Sequence, residues 1–101
     1  MHAVRFHPRI ESDLDDATAW YDTQSRGLGD RFLAEFRETT GKIAEIGHVF
    51  RQPEGAYRHL KLPSFPYLAY YRETDGGFLV VLLVNAAREP AFIQSLLGER
   101  H

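Results

Sequence analysis

The sequence predicts an α+β domain with the element order β-α-α-β-β-β-α, in which an N-terminal αα-hairpin packs on a mostly antiparallel four-stranded sheet. Three observations predict it. Apolar residues recur at helical spacing through two adjoining stretches in the first half of the chain. The second half switches to strand-like runs punctuated by Pro and Gly. Finally, a hairpin of two helices needs a sheet face on which to bury its apolar stripe.

The opening Ala3-Val4-Arg5-Phe6-His7 alternates and contains β-formers, so it reads as a short strand. Pro8 suits the first turn of a helix, where its missing N–H costs nothing. From there Ile10, Leu14, Ala17 and Tyr21 fall at helical spacing, with Trp20 beside them. Glu11, Asp13, Asp15 and Asp16 crowd the first turns and favour the positive end of the helix dipole. With Asp22 these acids read as a solvated face, not a catalytic carboxylate pair. Ser25-Arg26-Gly27-Leu28-Gly29 breaks this helix and starts a second, whose stripe is Leu28, Phe32, Phe36, Ile43 and Ile46. Gly47 is placed to end it. Trp20, Tyr21, Phe32 and Phe36 read as mostly core. So few residues between the helices dictate an antiparallel hairpin.

After Pro53-Glu54-Gly55 the period becomes two. Ala56 to Leu62 reads as a strand with Tyr57, His59 and Lys61 on one face and Arg58, Leu60 and Leu62 on the other. Pro63-Ser64 makes a turn, and Pro66 suits a strand start. Tyr67 to Glu73 is the third strand. Its Tyr70 and Tyr71 point to opposite faces, so that one is buried and the other open to a partner. Thr74-Asp75-Gly76-Gly77 supplies a hairpin turn. The unbroken apolar run from Phe78 to Val84 is that of a central strand covered on both faces. After Arg88-Glu89, Pro90 opens a short helix containing Phe92, Ile93, Leu96 and Leu97. The last three strands form an antiparallel meander to which the first strand adds.

Composition bounds the function. At 101 residues, 1–101 is expected to be one domain, and 44% hydrophobic content supports a modest core. The absence of cysteine excludes disulfides, a thiolate nucleophile and a Cys-based zinc site. His2, His7, His48 and His101 lack metal-ligand spacing, so neither metal nor cofactor is expected. Met1 to Phe6 has no long apolar stretch, and the run Phe78 to Val84 falls far short of the roughly 20 residues that span a bilayer. A cytoplasmic protein with no membrane partner is expected. Net charge is −2: residues 1–50 hold six Lys/Arg against nine Asp/Glu, and residues 51–101 six against five. That weak field argues against tight direct binding to DNA.

Taken together, Asp13-Leu14 through Trp20-Tyr21, Gly27-Leu28-Gly29 with Phe32, Arg58, Phe65-Pro66-Tyr67 with Tyr70, and Arg88-Glu89-Pro90 resemble the ParE/RelE toxins over nearly the whole chain. The resemblance implies the toxin of a type II toxin–antitoxin pair, neutralised by a cognate antitoxin whose C-terminal segment wraps parts of the hairpin and sheet. Tyr21, Leu28 and Phe32 are the residues it implies for antitoxin binding. ParE-like members poison DNA gyrase, whereas RelE-like members cleave messenger RNA in the ribosome.

Metal-free RNA cleavage by the 2′-hydroxyl needs proton-transfer groups and cations around the phosphorane. Arg58, Lys61 and Arg88 are the candidates for that chemistry here. Arg58 and Lys61, however, fall on opposite faces of the second strand by parity. Tyr67 stands where RelE-like proteins carry an arginine, Phe92 replaces a tyrosine, and Asn85 occupies a position where related sequences often have histidine. The Phe65-Pro66-Tyr67 and Arg88-Glu89-Pro90 segments look more like the ParE side. The expectation is therefore a non-enzymatic gyrase inhibitor, with Arg58, His59, Tyr70 and Arg88 as target-binding residues. The alternatives are a RelE-type endoribonuclease acting with ribosome and mRNA, or an inactive relative that binds only its antitoxin.

Overall fold

The computed structural model describes residues 2–50 and 57–100. Strand β1 (Ala3–Phe6) leads into helices α1 (Ile10–Gln24) and α2 (Leu28–Ile46), and α2 runs into a short 3-10 turn over Gly47–Val49. Strands β2 (Tyr57–Lys61), β3 (Tyr67–Thr74) and β4 (Gly77–Asn85) follow, then helix α3 (Pro90–Glu99). This is the predicted element order. Pro8 sits in the turn ahead of α1, not within its first turn. The expected Pro53-Glu54-Gly55 break and the strand start at Ala56 lie outside the described residues.

The sheet order is β1-β4-β3-β2, with β1 parallel to β4 and the other pairs antiparallel. Strand β4 is thus central at its start, between β1 and β3. There Gly77 lies opposite Ala3, and a Cβ at Gly77 would stand 2.1 Å from the Ala3 carbonyl oxygen. Only a residue without a side chain lets β1 approach so closely.

A β-bulge divides the sheet's two cores. Tyr70 pairs with Leu82 and Tyr71 with Val80, leaving Val81 as the extra residue on β4. Alternation is reset there. Phe78, Val80 and Leu83 pack with Phe32, Phe36 and Ile43 of the hairpin, whereas Val81, Leu82 and Val84 pack with Ile93 and Leu97 of α3. The continuous apolar run is therefore read by two layers, one on each face. Tyr71 is wholly buried on the hairpin side, where its hydroxyl donates to the Gly47 carbonyl at 2.6 Å. Burial pushes its phenol up to about 12. Tyr70 is half-buried on the α3 side.

The hairpin turn explains Gly27-Leu28-Gly29. Gly27 adopts φ +82°, which favours glycine, and a Cβ at Gly29 would meet the Thr18 carbonyl at 2.7 Å and the Asp22 carboxylate at 2.8 Å. The Gly29 N–H donates to Asp22 Oδ1 at 2.8 Å. Asp22 is therefore a turn ligand and not simply part of a solvated face. The structure also corrects Trp20, which is 59% exposed. The inward stripe ends on Ala17 and Tyr21, and Trp20 stands about 100° around the helix from Tyr21.

Two substitutions test this packing. Gly77→Ala is expected to destabilise the protein by about 1–3 kcal/mol through forced separation of β1 from β4, read as a lower midpoint in urea. Tyr71→Phe, which leaves a buried carbonyl without its donor, should cost about 1–3 kcal/mol in the same measurement.

Candidate functional site

The two faces of β2 treat its cations differently. Arg58 shares the hairpin-facing parity of Leu60, and its Nε donates to the Phe50 carbonyl at 3.1 Å. One of its terminal nitrogens pairs with Glu73 at 2.8 Å. Arg58 thereby ties β2 to β3 and to the segment after α2. Lys61, on the opposite parity, folds its Nζ onto the carbonyls of Leu62 at 2.9 Å and Phe65 at 3.3 Å. The set Arg58, Lys61 and Arg88 proposed for a nuclease is thus not assembled on one face of the sheet.

On the α3 face, His59 and Tyr70 are register partners with ring centroids 5.0 Å apart. Tyr70 and Arg88 line a common cavity of about 400 Å³ between the sheet and α3, together with Tyr57, Leu68, Ile93 and Gln94. Arg88 follows the rigid end of β4 and is exposed. Its guanidinium carbon lies 4.2 Å from the ring centroid of Phe92, four residues on, in a cation–π contact. Of the four expected target-binding residues, His59, Tyr70 and Arg88 share a face and Arg58 does not.

The hairpin residues expected to meet an antitoxin belong to an aromatic cluster. Tyr21 stacks on Phe32 at 5.4 Å and meets Phe65 edge-on at 4.7 Å, while Tyr67 stands 5.0 Å from Phe32. Phe32 has no exposed surface, because the hairpin stripe closes directly over the sheet. Phe32 holds the core, as its helical spacing predicts, so of the three residues expected to meet an antitoxin Tyr21 and Leu28 are the ones that present surface. Tyr21 and Leu28 are only partly buried. Burial raises the phenol pKa of Tyr21, and also that of Tyr67, where Asn85 and Arg88 oppose the shift. A second cavity, of about 500 Å³, opens between β1 and the hairpin beside Phe6, Leu14, Leu33 and Phe36.

Asp13 and Arg100 are the residues that sequence reasoning missed. Arg100 closes on Asp13 through two contacts, at 2.5 and 2.9 Å, and its side chain is only 3% exposed. The same guanidinium donates to the Val81 carbonyl at 3.1 Å, and Asp13 accepts the Leu83 N–H at 3.1 Å. Asp13 is therefore not part of a solvated face. No spacing rule links residues 87 positions apart. His7 stands nearby, its Nδ1 accepting the Arg9 N–H at 3.1 Å. Burial lowers its pKa below 6.5, the positive charges of Arg100 and Arg9 lower it further, and Asp13 opposes them.

With this geometry established, a family model described as the ParE toxin of the type II toxin–antitoxin system parDE matches residues 4–90. The chain belongs to the ParE toxin family. Toxin ParE2 of Mycobacterium tuberculosis (strain CDC 1551 / Oshkosh) is 26% identical over 98 residues, covering 96% of this chain and 93% of its own length. Toxin ParE2 of strain ATCC 25618 / H37Rv matches with the same identity and coverage. A solved chain of the chromosomal ParDE TA system from P. aeruginosa is similar with a TM-score of 0.76 at 15% identity, covering 84% of this chain and 96% of that one. That likeness is one of fold: three helices with a four-stranded mixed sheet. Membership in the ParE family implies a cognate antitoxin partner. Among the described residues, no helix is long and apolar enough to cross a membrane.

Two measurements probe the buried pair and its neighbour. Asp13→Ala, which strands the Arg100 charge, should cost about 3–5 kcal/mol in denaturant unfolding. The second concerns pH. His7 favours its neutral form when folded, so its contribution is complete above 6.5 and is lost as pH falls through the lowered folded value. Melting temperatures taken from pH 7.5 down to 5.5 should therefore fall more steeply for the wild-type chain than for His7→Gln.

Proposed function

We propose that this ParE-family chain is a non-enzymatic toxin that inhibits DNA gyrase in the cytoplasm and is silenced when its cognate antitoxin covers it. The observation that carries this reading is the family match along residues 4–90. The arrangement of cations supports it. Arg58 and Lys61 are engaged on opposite faces of β2, and neither lines the cavity beside Arg88. In this reading His59, Tyr70 and Arg88 meet the target, and Arg58 holds the strand that presents His59. Tyr21 and Leu28 lie under the antitoxin.

The test is induced expression with and without the neighbouring open reading frame, combined with a supercoiling assay on purified gyrase. Growth arrest relieved by the neighbour, loss of supercoiling and intact mRNA are the expected results. Rapid ribosome-dependent mRNA cleavage would replace the reading with the RelE-type one, and absence of arrest would mark a chain that only binds its antitoxin. Arg88→Ala should weaken gyrase inhibition about tenfold or more, the scale of an interfacial arginine hot spot.

A further inference from the structure

The cavity between the sheet and α3 has the make-up of a side-chain receptor. Its volume of about 400 Å³ lies within the range of sites that enclose a ligand group. Leu68, Ile93 and Leu97 supply apolar walls. The Tyr57 hydroxyl is directed to the carbonyls of Leu97 at 3.4 Å and Arg100 at 3.3 Å, inside the protein. Arg88 is the one charged side chain among the described lining residues.

Arg9, Arg58 and Arg100 each face a carboxylate, whereas Arg88 has no carboxylate partner among the described residues. It is exposed, yet its plane is steadied over Phe92, itself 40% exposed. A stacked guanidinium keeps its N–H edge available for a planar anion.

We propose that this cavity receives a bulky apolar side chain of a partner protein while Arg88 pairs with a carboxylate adjoining that side chain. Identifying that partner as the toxin's target rests on the function proposed above. A carboxylate suits the site better than a nucleic-acid backbone. Tracking phosphates requires a run of cations, and Arg88 is the one cation among the described residues that line the cavity. Asp16 lines the smaller cavity on the other flank of Arg88, and Glu89 follows it in sequence. Those acids oppose any anion, and more so a chain of several phosphates than a single carboxylate that one guanidinium can neutralise. An arginine beside a half-open pocket with apolar walls is instead the usual composition of a protein–protein hot spot.

The experiment titrates N-acetyl-L-phenylalanine, which carries one carboxylate and one bulky apolar side chain, into the full ¹⁵N-labelled chain. Amide and Arg88 Nε resonances are followed by NMR. Saturable shifts confined to Tyr70, Arg88, Ile93, Gln94 and Leu97 are expected. N-acetyl-L-phenylalaninamide should bind about tenfold more weakly, the loss that fits one hydrogen-bonded charge. Arg88→Gln should erase that preference. Ala91→Phe, which fills the cavity from α3 without altering Arg88, should abolish both titrations while the remaining spectrum stays native. No saturable shift at the cavity, equal binding of acid and amide, or tighter binding of deoxythymidine monophosphate would each overturn the proposal, the last in favour of nucleic acid. Gyrase inhibition is scored separately. A chain that binds the acid but leaves gyrase untouched keeps the pocket and loses the target.

Discussion

Strand β1 pairs with β4 only as far as Val80, and the same edge of β4 continues for five more residues. Buried backbone groups along such an edge need partners. Asp13 and Arg100 provide them, the carboxylate taking the Leu83 N–H and the guanidinium the Val81 carbonyl, while the two charges neutralise one another. Desolvating an ion pair is costly unless its remaining hydrogen-bonding capacity is used. Here the strand edge uses part of it, through the Leu83 N–H and the Val81 carbonyl, while Arg100 Nε stays buried without a partner among the described residues. Because Asp13 lies on α1 and Arg100 caps α3, this contact fastens layers on opposite faces of the sheet to one stretch of β4. The arrangement of hairpin, sheet and terminal helix depends on it.

The bulge at Val81 makes that stretch possible and builds the second core. A strand with strict alternation would turn Leu82 toward the hairpin. With the extra residue, Val81 and Leu82 both join the α3 side, where Ile93 and Leu97 cover them. Helix α3 therefore has a floor on which to dock, and its start brings Phe92 under Arg88. The exposed cation is as well placed as the helix beneath it. Chemistry at the surface and packing in the interior are consecutive links of one chain of contacts.

Family membership and geometry constrain function in different ways. The match along residues 4–90 assigns the chain to the ParE toxins and, through them, to an antitoxin partner. The fold by itself could not have done so, since one fold hosts several activities. Geometry sorts the cations. Arg58 and Lys61 are drawn into carbonyl and carboxylate contacts, and Arg88 is left facing outward beside a cavity. A toxin that acts by occupying a protein surface needs the second kind of residue more than a cluster of the first.

Local pattern determined much of this molecule. The helical stripes, the break at Gly27-Leu28-Gly29, the two-residue period of β2 and β3 and the opening of α3 at Pro90 each depend on neighbours within a few residues. All of them were legible in the sequence. The opposite parity of Arg58 and Lys61, and of Tyr70 and Tyr71, followed from that period as well. Three features were decided only by tertiary structure: the burial of Asp13, the exposure of Trp20 and the bulge at Val81. An apolar run reads the same in either register. An aspartate in a helix's first turns looks solvated until a distant arginine arrives. An aromatic residue at helical spacing declares its core role only when the sheet beneath fixes the helix's rotation. Contacts between residues far apart in the chain leave no local trace, and such a contact, between Asp13 and Arg100, holds this structure together.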